Sequence, residues 1–381
     1  MMCSRIAAAL LICGATLCLG ASADAFAIQT PGGTSTPTER ASDLPARVQA
    51  SSRAALNWLA AQQDADGSWS PSGVEAVSSG LDAAGHAPVA VAAIAALAFM
   101  AGGSTPDRGP HGAHLAKTID WLVAHCELQP GSPRHGWISR PGDLVSRMHG
   151  HGLATLALAQ AWSMSKKSER GARIERALRA AVDLLTQTQG VEGGWWYEPV
   201  RAAQHESSLT ICAVQALRGA RDAGIAVDAK VIDRALSYVR RTRREDGAFL
   251  YAIGDKQASV ALTAASIATL QSAGAYSSAE VRAGHDWLTR ALALRGTPNA
   301  PEAATLVVCP HYERLYLSQA LWQLEDGHAH AAWRERDLPR LLAQQERDGR
   351  FRDRRFGDVY ATAMEVLVVL VADGVLPVFQ R

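Results

Sequence analysis

Arg53 to Trp69 reads RAALNWLAAQQDADGSW. Leu56, Leu59 and Ala60 recur at helical spacing, so the first part predicts a short amphipathic helix that buries Trp58 and Leu59 and leaves Arg53, Asn57 and Gln63 wet. The helix ends in a turn. Asp66 bonds readily to its own backbone, Gly67 accepts positive φ without steric cost, and Trp69 follows as a large apolar anchor for the loop.

The pattern returns at Arg179 to Trp195, RAAVDLLTQTQGVEGGW, with the same Arg-Ala start, apolar pair, Gln, Gly and Trp. A worn copy runs from Ala235 to Phe249, with Arg243 in the Gln place and then Gly247 and Phe249. Another uses Gln345, Gly349 and Phe351. The chain is therefore a repeat protein, and its fold has to be read as one.

The order of a basic residue, a small one, an apolar pair, Gln63 or Gln189, then Gly67-Ser68-Trp69 or Gly193-Gly194-Trp195 resembles the QW repeat of squalene and hopene cyclases. More loosely, it is similar to the repeats of protein prenyltransferase β subunits. The resemblance covers about residues 50 to 375 and implies an all-α fold, an α/α toroid in which an inner ring of helices is wrapped by an outer one.

Six helical hairpins can be parsed. Their first helices are predicted at 51–63, 111–127, 168–188, 228–242, 279–292 and 334–346, and their second at 87–101, 150–164, 205–221, 258–272, 312–324 and 358–371. The second set, with VAVAAIAALAFM, LTICAVQAL and LYLSQALW, is apolar nearly all round and rich in Ala, so it belongs in the interior. The first set carries its charge in stripes and forms the outer ring. One domain over residues 50–381 is expected.

Ahead of it, Met1 to Ala27 has Arg5, an apolar run from Ile6 to Leu19 and small residues at 21–23 and 25–27. That is the pattern of a secretory signal peptide cleaved after Ala23 or Ala27, so the protein is expected to be exported, periplasmic or extracellular. Residues 28–49, rich in Pro, Thr, Ser and Gly at first, read as a flexible linker. Cys126, Cys212 and Cys309 remain, too few for a disulfide scaffold and odd in number. A formal charge of +1 gives no reason to expect nucleic acid, and no stretch of the mature chain is long and apolar enough for a transmembrane helix.

In a toroid the inner-helix starts share one mouth. In order they carry His86, then His149 and His151, then His205 with Glu206, then Lys256 and Gln257, then His311, Tyr312 and Glu313, then Asp358 and Tyr360. The candidate catalytic residues are therefore His149, His151, His205, His311, Tyr312 and Asp358, while Asp358 and Glu206 also suit helix starts as such. Cys309 and His311, with His149 or His151, form a weak candidate zinc set.

The resembled families' own chemistry is not carried over. The prenyltransferase zinc motif is Asp-x-Tyr-His, and here it reads Asp358-Val359-Tyr360-Ala361. The cyclases' Asp-x-Asp-Asp run is missing, Asp64-Ala65-Asp66-Gly67 being the nearest. Two functions stay in view: a binding module whose apolar ring takes up an isoprenoid-like ligand or a protein segment, and an enzyme working at the histidine-bearing mouth. The second would be metal-dependent or would act as a polysaccharide lyase, with Tyr312, His311, Arg314, His149, His151 and Arg201 as the residues available to it.

Overall fold

The computed structural model describes residues 43–70, 86–140, 143, 147–298, 300, 307–324, 327–354, 356–373 and 376. The leader 1–27 and most of the linker lie outside them. Among the described residues twelve α-helices follow one another: α1 Leu44–Ala61, α2 Pro88–Ala101, α3 Gly112–Ala124, α4 Arg147–Ser165, α5 Glu169–Thr188, α6 Ser207–Ala223, α7 Ala229–Arg241, α8 Val260–Ser272, α9 Ala279–Leu294, α10 Pro310–Trp322, α11 His328–Leu342 and α12 Asp358–Leu370. No sheet forms among the described residues, where only isolated bridges occur.

All twelve predicted helices are present, with shifted ends. The first begins at Leu44, so residues 44–49 belong to the folded body and not to the linker; Pro45 stands in its first turn, where a missing N–H costs nothing. α4 starts at Arg147 and α11 at His328, each earlier than its periodicity suggested.

The even-numbered helices form the inner ring. Each packs on the next, and α12 returns to α2, so the ring is closed. Every residue of α2 is buried, because its neighbours are α4 and α12 in the ring and the outer helices behind it. Close approach needs small side chains: a Cβ on Gly152 of α4 would stand 2.8 Å from Cys212 Sγ of α6. The odd-numbered helices lie outside, with α1 against α11 and α12.

The repeated Gln, Gly and Trp have distinct tasks. Trp69 and Trp195 donate from Nε1 to Leu59 and Leu185 of their own outer helices, at 3.0 and 2.9 Å. Gln63, predicted to be wet, instead donates to its own turn at Gly67 and to the carbonyl of His114 on the next outer helix, the latter at 3.0 Å. Gln189 does the same toward Gly193 and Val231, both at 2.8 Å. The glycines lie against the same neighbours: Gly193 has φ +98°, and a Cβ there would stand 2.3 Å from the Arg234 carbonyl. The motif thus couples each hairpin to the next, which is why it recurs.

Candidate functional site

Four inner helices present rows at i, i+4 and i+7 to the ring axis: His149, Leu153 and Leu156 on α4; Ser208, Cys212 and Gln215 on α6; Tyr312, Tyr316 and Gln319 on α10; Tyr360, Met364 and Leu367 on α12. Ile94 and Leu97 of α2 and Leu315 of α10 complete the wall. Each row starts at the second or third residue of its helix, so the first members form a layer at the inner-helix starts, the end read from the sequence as the mouth. The last lie seven residues deeper, about 10 Å at 1.5 Å per residue.

The cavity between them has a volume of about 50 Å³, or about 610 Å³ when all space between the side chains, open solvent included, is counted. Its wall is Leu, Ile, Met and Tyr, with a few polar groups. Tyr316 donates to Gln215 Oε1 at 2.7 Å, joining α10 to α6, and meets the Tyr312 ring at a tilt of 54°, with ring centres 4.5 Å apart.

His149 reaches the cavity, and His151, two residues or about 200° onward, does not. His151 is fully buried toward the outer layer, 5.1 Å from the Trp137 ring, and its Nδ1 accepts the Ile138 N–H at 3.3 Å. The two histidines are therefore not one site. Burial pushes their pKa values down, to about 3 for His149 and about 4 for His151, so both are neutral near pH 7.

Beside His149, Glu206 caps α6, accepting the N–H groups of Ser208 at 2.7 Å and Leu209 at 2.6 Å. The Ser208 hydroxyl lies 2.7 Å from Glu206 Oε2 and 3.3 Å from His149 Nε2. Burial pushes the Glu206 carboxyl up to about 7, against the hydrogen bonds that favour its anion. Between about pH 4.5 and 6.5 both partners are uncharged, so the 3.8 Å approach of His149 to Glu206 is not an ion pair there. Carboxyl, hydroxyl and imidazole form a chain from the helix cap to the cavity wall.

His311 occupies a second network. Its Nε2 is 3.0 Å from Asp353 Oδ2, its Nδ1 contacts Glu365, and Arg314 also pairs with Glu365. Burial opposes a charged imidazole, but Glu365 and Asp353 outweigh it and raise the His311 pKa. Burial likewise opposes the Glu365 anion, and Arg314 and His311 hold its pKa down. The network ties α10 to α12, and Glu365 was legible in the sequence only as a lone acid in an apolar helix.

The other candidates are structural in their placement. His205 is held by the Ala202 carbonyl at 3.0 Å and meets the Tyr238 ring edge-on, toward outer helix α7. Asp358 is the first residue of α12, not its cap, which is Gly357 with φ +87°; it accepts the Asp353 N–H at 3.3 Å. Tyr312 lines the cavity. Cys309 precedes α10, buried and in no disulfide, as are Cys126 and Cys212. Among the described residues no three His, Cys, Asp or Glu side chains are grouped to hold a metal ion, so Cys309, His311, His149 and His151 do not assemble the zinc set.

Comparison with known proteins bears on the fold. No protein-family model matches the chain, and no curated protein matches it. Among solved structures, the apo type II terpene cyclase MstE from Scytonema superposes with a TM-score of 0.52 at 17% identity, over 87% of this chain and 100% of that one. A singly substituted variant of MstE in complex with its substrate geranylgeranyl dihydroxybenzoate gives 0.53 at 16% identity, over 88% and 100%. A glycoside hydrolase family 76 mannosidase from Bacteroides thetaiotaomicron gives 0.53 at 10% identity, over 85% and 97%. The α/α toroid is shared, and two unrelated chemistries on it leave function to be argued from the site.

Proposed function

We propose that this protein binds one end of an elongated, mainly apolar molecule along the axis of its toroid. The observation that carries the reading is the set of aligned rows on α4, α6, α10 and α12, which wall a cavity with Leu, Ile, Met and Tyr from the mouth inward. Size sharpens it. A volume of about 50 Å³ is far below the ~300–1,000 Å³ that encloses a drug-sized ligand, so the cavity holds a leading group while the remainder lies in the mouth. Enclosing and cyclising a whole isoprenoid chain needs more room than this, and a protein segment would bring peptide groups with few partners here. Export belongs to the same proposal, on the strength of the leader-like Met1–Ala27.

Titration with 1-octanol tests it. Saturable binding at one molecule per chain is expected, and Leu153→Trp, which fills the middle of the cavity, is expected to abolish it while the chain stays folded. Unsaturable binding, or undiminished binding by the filled variant, would sink the proposal.

A second reading is favoured by one contact: the Ser208 hydroxyl sits between Glu206 and His149 at the cavity wall. A carboxyl with a pKa raised to about 7 is suited to proton transfer at neutral pH, and the mouth would then be an acid–base site.

A further inference from the structure

Gln319 lies in the layer of the axial cavity farthest from the inner-helix starts and is 0% exposed. Neither its amide nitrogen nor its amide oxygen has a hydrogen-bond partner among the described residues. A buried amide with donor and acceptor both unsatisfied is a costly arrangement and points to a group supplied from elsewhere.

The surroundings narrow what that group is. Gln215, in the same layer on α6, already accepts from Tyr316, and the remaining neighbours in that layer are Leu156 and Leu367. No Asp, Glu, Lys or Arg lines the cavity among the described residues. A carboxylate or ammonium would therefore be desolvated without a countercharge, whereas an alcohol, ketone or amide would meet both halves of the Gln319 amide. The room fits such a head. By the roughly 10–15 Å³ that one water-sized group requires, a volume of about 50 Å³ holds on the order of three or four of them.

We infer that the ligand enters head-first, an apolar chain whose leading end bears one uncharged hydrogen-bonding group seated on Gln319. The inference rests on the axial cavity being a binding site, and it adds the ligand's polarity and direction. The chain then runs outward past Tyr316 and Met364 to the mouth at Tyr312 and Tyr360.

The test compares 1-octanol, n-octane and octanoate by calorimetry on the wild-type chain and on Gln319→Met, with circular dichroism to check folding. Wild type is expected to bind octanol about tenfold more tightly than octane, the size of one net hydrogen bond, and to favour it over octanoate as well. Gln319→Met is expected to bring octanol and octane level. Equal affinities for octanol and octane in the wild type overturn head-first binding while leaving the cavity as a site, and that comparison needs no variant. A preference for octanol that survives Gln319→Met overturns it too. If the wild type binds none of the three, the cavity reading fails and the inference falls with it.

Discussion

Gln345, in the last hairpin, donates from Nε2 to the carbonyl of Ser51 in the first, at 3.0 Å and across 294 residues of sequence. The same nitrogen reaches its own turn at Gly349, at 2.7 Å. The repeat motif that couples neighbouring hairpins therefore also closes the ring. Gly349 completes the seam: its φ is +99°, and a Cβ there would stand 2.5 Å from the Ala54 carbonyl.

Closure can be tested at either residue. Gln345→Ala leaves two carbonyls without that donor and is expected to cost about 2 kcal/mol in urea unfolding. Gly349→Ala adds strain and a clash and is expected to cost more. Hydrogen exchange should rise first in α1 and α12, on either side of the seam. Uniform exchange across the ring would show that the seam is not a separate weak point.

Glu206 should leave a pH signature. Its folded pKa of about 7 exceeds its unfolded value of 4.5, so the stability it contributes is complete below about pH 4.5 and is lost as pH rises through about 7. A rise of that size corresponds to about 3 kcal/mol. Comparing Glu206→Gln with the wild type by urea unfolding, the stability difference is expected to move by about that amount in the variant's favour between about pH 5 and about pH 8. A constant difference would mean that the carboxyl is not held neutral in the fold.

His149 and His151 act in the opposite sense. Their pKa values are depressed from 6.5 to about 3 and about 4, so the stability they give is complete above about pH 6.5 and is lost as pH falls below it. His151→Gln is expected to lessen acid destabilisation by about 2 kcal/mol near pH 4.5 and to leave octanol binding unchanged, since His151 faces away from the axis. Altered octanol binding in that variant would place His151 at the cavity after all.

Much of the fold was legible, for a physical reason. Helical periodicity and the all-round apolar character of the inner set are local properties, and the Gln, Gly and aromatic spacing is fixed by contacts that every hairpin must make. The site was less so. His149 and His151 look equivalent in MHGHG, and only the orientation of α4 puts one on the axis and the other against Trp137. Gln215 and Gln319 carry no local signal within their helices beyond position: each lies seven residues after a residue at the inner-helix starts, Ser208 and Tyr312, and that spacing marks one helix face.

The His311 network makes a different prediction. Glu365→Gln leaves His311 and Arg314 beside a neutral amide, and breaking a buried pair from one side typically costs about 3–5 kcal/mol. The variant is expected to lose stability on that scale, and the His311 pKa, read by NMR titration, should fall. A His311 pKa unmoved by the substitution would show that Glu365 does not hold its proton.

The most direct measurement is the crystal structure of the protein soaked with 8-bromo-1-octanol, with the bromine located by its anomalous scattering. The account predicts a bromine peak on the ring axis at the mouth, among His149, Tyr312 and Tyr360, with the chain leading inward to its hydroxyl at Gln319. A peak confined to the outer surface, with no density along the axis, would contradict it.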